Sequence, residues 1–325
     1  MIPHREIAPG VGVSALGFGG YHLGMLDDER EAIRLLHAAI DAGITFLDNA
    51  WEYNEHRSEE RMGKALADGG HRDRVFLMTK VCTHGRESAV AMQQLEESLR
   101  RLRTARLDLW QIHECVYDDD PHRHYSTGGV VEAIDRAKRD GKVRFVGFTG
   151  HKGPAIHIDM IERGYAFDTA QMPLNVLDPN YRSFEKHVLP LARERGIHVI
   201  GMKAFAEGRM LQAGGVDADD ALRYAMSLPG VLTTVTGIDS QAVLDHHVRT
   251  ADGFTVRRRG AAAAARPPPR TRDRRPPRAL QVVDEERRRR GPSTARLPAD
   301  ERTGDCSRAF SAPRRRSRKN ARGRP

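Results

Sequence analysis

Eight short apolar runs, spaced along the chain with helix-like or glycine-punctuated segments between them, constrain its fold more than any other feature. They are Ala15–Gly19, Thr45–Asp48, Val75–Lys80, Leu107–Ile112, Val143–Thr149, Asp168–Gln171, His198–Lys203 and Thr233–Gly237. Apart from Asp108 and Arg144, their charges sit only at the ends, as parallel strands covered on both faces require. Between them, Glu31–Asp41 puts Ile33, Leu36 and Ile40 on one stripe. Ala91–Leu102 does the same with Leu95, Leu99 and Leu102, and Val130–Arg139 with Val130, Ile134 and Ala137. Spacings of three and four set these groups on one helical face. Gly43, Gly141, Gly164 and Gly196 follow helical segments, where helix C-caps belong. Eight strand–helix units predict an α/β fold with a parallel sheet, and eight is the number that closes a (β/α)8 TIM barrel. A doubly wound open sheet is the alternative. No internal repeat of fixed period accompanies the alternation.

The pattern stops at Val256. Of the formal charge of +9, residues 257–325 carry 22 Arg and one Lys against seven acidic groups, a balance of +16 that leaves −7 on residues 1–256. An asymmetry this large marks a tail rather than a basic body. The tail's large apolar residues are only Leu280, Val282, Val283, Leu297 and Phe310. They bury too little surface to offset chain entropy, so disorder is expected. The division is therefore a barrel over 1–256 and an Arg/Pro/Ala-rich tail over 257–325. Arg, Pro, Ala and Gly also dominate when GC-rich DNA is read out of frame, so a frame slip near Val256 is a further reading of the tail. Three scattered cysteines, Cys82, Cys115 and Cys306, argue against a disulfide framework and fit a reducing cytosol. The N-terminus has no apolar core of signal length. No run approaches the roughly 20 apolar residues of a membrane helix. The expectation is a cytoplasmic body with no membrane partner.

Ionisable groups close three successive strands. Asp48 ends the second, Lys80 the third and His113 follows the fourth, while Tyr53 lies five residues past Asp48. The C-terminal strand ends form the functional face of such a barrel, so these groups are expected to converge. Together they suit proton transfer. A tyrosine with an ordinary pKa of about 10 cycles poorly near neutrality, and a neighbouring ammonium favours its phenolate. Lys80 is placed to supply that charge, Asp48 to hold Lys80, and His113 to orient and polarise a carbonyl oxygen.

The segment FLDNAWEY, the lysine of LMTK and the histidine of DLWQIH resemble the FxDxAxxY, strand-terminal lysine and DLxxxH motifs of the aldo-keto reductases. The resemblance runs in order from LGFGG to TGIDS and covers Met1–Val256. It implies a (β/α)8 barrel that reduces an aldehyde or ketone with NADPH, NAD remaining open. Tyr53 would be the general acid, tuned by Lys80 and Asp48, with His113 orienting substrate. For the cofactor, Thr149-Gly150 replaces the family's usual Ser-Asn, while Gln171 matches the glutamine that holds the nicotinamide carboxamide. Met202 stands where many members place an aromatic ring. Lys203 is a candidate phosphate contact. Gly237, Asp239 and Ser240 match the loop near the adenosine phosphate, and Asp239 would repel a 2′-phosphate.

Other readings attach to the same residues. Asp48 with Lys80 alone reads equally as a structural ion pair. The glycines of LGFGG read as backbone room in a tight strand–helix turn, since they lack the full dinucleotide fingerprint. His113, Glu114, Cys115, His122 and His124 match no standard zinc spacing, so no metal is expected. DDDPHRH is read as a solvated loop over the barrel mouth. A barrel that binds a nicotinamide cofactor without turnover, as a sensor or partner subunit, is the second functional reading. Nucleic-acid attachment through the arginine tail is the third. It is not the expectation, because Phe310 is the tail's only aromatic residue and stacking on bases needs more.

Overall fold

A computed structural model describes residues 1–254 of the chain, apart from 68, 83 and 214. Both readings of the tail, disorder and frame slip, lie outside the described residues.

All eight predicted runs are strands. An N-terminal hairpin of β1 (His4–Ala8) and β2 (Val11–Ser14) precedes them. There follow β3 (Leu16–Gly19), β4 (Phe46–Asp48), β5 (Phe76–Val81) and β6 (Leu107–Ile112). The last four are β7 (Val143–Thr149), β8 (Thr169–Pro173), β9 (His198–Met202) and β10 (Val231–Gly237). The strands β3 to β10 are parallel and close in chain order, β10 pairing back onto β3. This settles the barrel over the open sheet. Helices cover the outside with their apolar faces inward. On Glu29–Asp41 that face is Ala32, Leu35, Leu36, Ala39 and Ile40, and Asp28 caps the helix by accepting from Arg30 N at 2.8 Å. None of the described helices is long and apolar enough to cross a membrane.

The two mid-strand charges have local reasons. The Asp108 carboxylate accepts the Leu77 N–H at 2.9 Å and pairs with Arg72 at 2.9 Å. Arg144 faces solvent with its guanidinium over the Phe145 ring, 5.1 Å from the centroid. DDDPHRH departs from expectation. It forms a helix, Asp120–Tyr125, with Asp120 and His124 buried. Asp120 pairs with Arg86 and accepts the N–H groups of Val116 and Tyr117 at 2.8 Å each. A carboxylate with that many donors orders its segment, which a composition-based reading of three successive aspartates misses.

The hairpin was not foreseen, because its strands are four or five residues long and HREIA carries no polar–apolar alternation. Its turn rests on Gly10 at φ 73°. Its buried Ile7 and Val13 join Phe46, Phe76, Met78, Leu109 and Phe145 in one apolar cluster. Phe46 and Phe76 stack at 5.4 Å, and Phe76 and Phe145 at 5.8 Å. Phe46 and Phe76 open their strands and Phe145 is the third residue of β7, so the hairpin plugs the N-terminal end. Arg5 fastens it by donating to Val231 O at 2.6 Å and Met226 O at 2.8 Å. We expect Ile7→Ala to lower the unfolding free energy by about 2–5 kcal/mol. Urea denaturation would show this as a lower midpoint at unchanged slope, with ligand affinity at the opposite end of the barrel unaltered.

Candidate active site

The site follows from where β4, β5 and β6 end. Asp48 is the last residue of β4, Lys80 the penultimate residue of β5, and His113 continues β6 by donating its N–H to Val81 O at 3.2 Å. Closing the barrel turns these ends toward one mouth. Lys80 and Asp48 are both buried and form an ion pair. The Lys80 ammonium also donates to Asn49 O at 2.8 Å and to the Tyr53 hydroxyl at 3.3 Å. Its three donors are thereby accounted for, as a buried ammonium requires. The Tyr53 ring lies edge-on to His113 at 5.6 Å and to Tyr21 at 5.4 Å. The four residues singled out from the sequence are therefore one constellation.

The backbone here is held out of the ordinary regions. Asn54, Glu55 and His56 follow Tyr53 with φ of 54°, 56° and 72°, Glu114 follows His113 at 50°, and Lys203 follows β9 at 55°. Non-glycine residues in this region cost of order 1–3 kcal/mol each and persist only where surroundings hold them. His56 Nδ1 meets Trp51 O at 2.6 Å, which braces the Tyr53 turn. At LGFGG the glycines provide room, as expected. A Cβ on Gly20 would stand 2.6 Å from Asp48 O, and one on Gly19 would stand 2.8 Å from Thr236 O.

Two partners were invisible in the sequence. Gln171, on β8, donates its Nε2 to Asp48 Oδ2 at 2.7 Å, so Lys80 and Gln171 hold the two oxygens of one carboxylate. Glu52, buried beside Tyr53, is paired with His113 Nδ1. Glu114 pairs with His151 at 3.0 Å. Motif spacing reports none of these links, although a glutamate next to the motif tyrosine was a visible signal.

The electrostatics reverse one expectation. The Tyr53 hydroxyl is pushed well above its ordinary pKa, first by burial and then by Asp48, Glu52 and Glu114. Lys80 does not prevail over this acidic surrounding, because its charge is matched by Asp48. Tyr53 is a phenol at neutral pH, with its proton in place.

The remaining predicted residues lie along the rim. Thr149 ends β7 in register with Gln171, and Gly150 N donates to Gln171 O at 3.3 Å. Gly150 is packed tightly: a Cβ there would meet Cys115 O at 2.4 Å and His157 at 2.9 Å. Met202 ends β9, half-buried, and Lys203 O accepts from Asn175 at 3.3 Å. Gly237 ends β10 in register with Gly19, and the His22 ring fills the space a side chain there would take. Ser240 caps helix Gln241–Ala251 beside exposed Asp239. Among the described residues no three His, Cys, Asp or Glu side chains gather as a metal ion needs.

A sequence model described as the Aldo/keto reductase family matches residues 15–220. The chain is 29% identical over 231 residues to the aldo-keto reductase YhdN of Bacillus subtilis, covering 65% of either protein. It is 30% identical over 220 residues to the uncharacterized oxidoreductase YrpG of the same organism, covering 61% of this chain and 65% of the relative. It thus spans about 65% of the length of these curated relatives. Among solved structures, the aldo-keto reductase AKR11C1 of Bacillus halodurans superposes with a TM-score of 0.66 at 25% identity, over 78% of this chain and 91% of that one. An aldo-keto reductase from Klebsiella pneumoniae gives 0.65 at 24% identity, over 82% and 96%, a likeness of fold.

The direction of the Tyr53 shift has a direct check. Alkaline titration followed by phenolate absorbance should give the same curve for wild type and Tyr53→Phe up to about pH 10, the ordinary tyrosine value. A phenolate lost from the variant below that pH would show a lowered rather than a raised hydroxyl.

Proposed function

The chain belongs to the aldo/keto reductase family, and from that premise we propose that it reduces an aldehyde or ketone to an alcohol with NADPH bound at the barrel mouth. The observation that carries this reading is the Lys80 ammonium, bonded at once to the Asp48 carboxylate and to the Tyr53 hydroxyl at 3.3 Å. Because Lys80 donates to the tyrosine oxygen, the phenolic hydrogen is left to donate to a substrate. A half-buried phenol that keeps its proton is the acid a carbonyl oxygen needs as negative charge develops on it. When that proton leaves, Lys80 is already placed to stabilise the phenolate. Asp48 and Gln171 keep Lys80 fixed, so little reorganisation is needed. His113, edge-on to Tyr53, orients the carbonyl oxygen.

Residues of the mouth fit a nicotinamide. Gln171 Oε1 is buried and has no hydrogen-bond partner, while Nε2 is committed to Asp48. A bare buried acceptor is costly, and a carboxamide N–H satisfies it. Bound there, the reduced nicotinamide supplies hydride to the carbonyl carbon. Gly150 cannot house an amide side chain of its own, since Cys115 O occupies the space. Gln171 therefore takes the carboxamide with Thr149 beside it, and Met202 offers a polarizable wall. The N-terminus of helix Gln241–Ala251, with Ser240 and Gly237, suits a phosphate, and Lys203, just past the end of the adjacent strand β9, is a further candidate contact. NADP is the cofactor described with the Klebsiella pneumoniae structure. NAD is kept as a second reading because of exposed Asp239, which would repel a 2′-phosphate. The acidic balance of residues 1–256 disfavours a nucleic-acid partner there, and we read the substrate as a small-molecule carbonyl in a cytoplasmic setting without a membrane partner.

Two measurements test this. Tyr53→Phe should lower kcat with a reactive aldehyde by about 10²–10⁴-fold, with NADPH quenching of intrinsic fluorescence unchanged. Undiminished turnover would remove Tyr53 from the reaction, and cofactor binding without wild-type turnover would favour the sensor reading. Asp239→Asn should tighten NADPH several-fold, on the order of 1 kcal/mol, and leave NADH affinity unchanged. Equal effects on both cofactors would place the 2′-phosphate elsewhere.

A further inference from the structure

Glu52 is a buried carboxylate of the mouth that proton transfer through Tyr53 does not use. It precedes Tyr53 in the chain, is 9% exposed, and reaches His113 Nδ1 on the next element of the rim. A buried carboxylate is costly unless paired. The Lys80 ammonium is already committed to Asp48, Asn49 O and Tyr53.

We propose that Glu52 is a positioning residue that holds His113 as a doubly protonated imidazolium, so that the group orienting the carbonyl oxygen also carries positive charge. This rests on the reading of His113 as the residue that faces substrate. The hydrogen-bond inventory of histidine forces the choice. A neutral ring that gives its only N–H to Glu52 through Nδ1 has a bare Nε2, which accepts and cannot donate to a carbonyl. With Glu52 ionised, only the imidazolium serves Glu52 and a carbonyl oxygen together. The pair is also legible from the carboxylate. Burial alone would raise the Glu52 pKa, yet it lies below the ordinary value, because contact with His113 outweighs that cost.

The other groups facing the pair are consistent with this. Glu114 opposes the Glu52 charge from the next residue along, and its own partner is His151 at 3.0 Å. Cys82, the residue after β5, lies against Glu52 and adds to the lowering of its pKa, with its sulfur 3.5 Å from His84 Nδ1. Tyr53 presents a neutral ring to His113, with the compensated Asp48–Lys80 pair behind it. A permanent charge at His113 makes it a stronger hydrogen-bond donor than a neutral imidazole. It also gives the reaction an alkaline limit set by this pair, separate from Tyr53.

The experiment is ¹⁵N NMR of ring-labelled full-length protein at pH 7, with His113 assigned by the signal missing in His113→Gln. Both ring nitrogens should resonate as protonated in wild type. In the isosteric Glu52→Gln, one should become bare. Glu52→Asp, which keeps the carboxylate, should restore the wild-type pattern at least in part. In kcat/KM profiles the alkaline limb should move down by about 1–2 pH units in Glu52→Gln, with KM for cofactor unchanged. A wild-type His113 with one bare nitrogen overturns the proposal, and so do shifts and a profile that Glu52→Gln leaves in place. The NMR measurement needs no turnover and no variant. A doubly protonated His113 in a protein that reduces no carbonyl would therefore overturn the enzymatic reading and leave the pair standing.

Discussion

The mouth of the barrel depends on one buried ion pair, Lys80 with Asp48. Both side chains are almost wholly excluded from solvent, and bringing two charges out of water costs several kcal/mol per ion unless each is fully bonded. The bonds come from different places: Asn49 O beyond β4, the Tyr53 hydroxyl from the following loop, and Gln171 from β8. No single strand–helix unit holds this pair by itself. Closure of the barrel brings β8 within reach of β4, so the pair is satisfied only when the whole fold is present. The strained turns after Tyr53 and His113 persist because that network determines where their neighbours must be.

The acidic character of the mouth has a consequence for the chemistry. Asp48, Glu52 and Glu114 all oppose ionisation of Tyr53, and each is answered by its own partner, Lys80, His113 and His151 respectively. The Lys80 charge is thus spent on a carboxylate rather than on the phenol. A lysine next to a tyrosine does not by itself lower its pKa: what matters is the net charge within a few ångströms and the loss of water. The outcome is a resting acid instead of a resting phenolate. Lys80 acts on the charge that appears when the proton leaves.

The two ends of the barrel divide the work. At the N-terminal end, Phe46, Phe76 and Phe145 stack under a hairpin that carries Ile7 and Val13, and this apolar cluster is non-directional, with Arg5 fastening the hairpin beside it. The C-terminal end carries the Asp48–Lys80 pair and the left-handed residues that follow Tyr53, His113 and β9. Apolar packing at the closed end supplies stability, which allows the other end to hold costly polar geometry.

Much of this was legible in the residues. All eight strands followed from apolar runs and helical spacing, because periodicity is a local property that each element carries in its own sequence; their number pointed to closure but left an open sheet as the alternative. Asp48, Tyr53, Lys80 and His113 were legible for a similar reason, since strand ends locate the mouth. The hairpin plug was not, being too short and too polar to show a period, and the Asp120–Tyr125 helix was hidden behind a run of aspartates. Nor could the sequence pair Gln171 with Asp48 across 123 residues, join Glu52 to His113, or give the direction of the Tyr53 shift. Those depend on distances and on which groups lose their water, and both are set only when the closed barrel fixes strand ends that are remote in the chain.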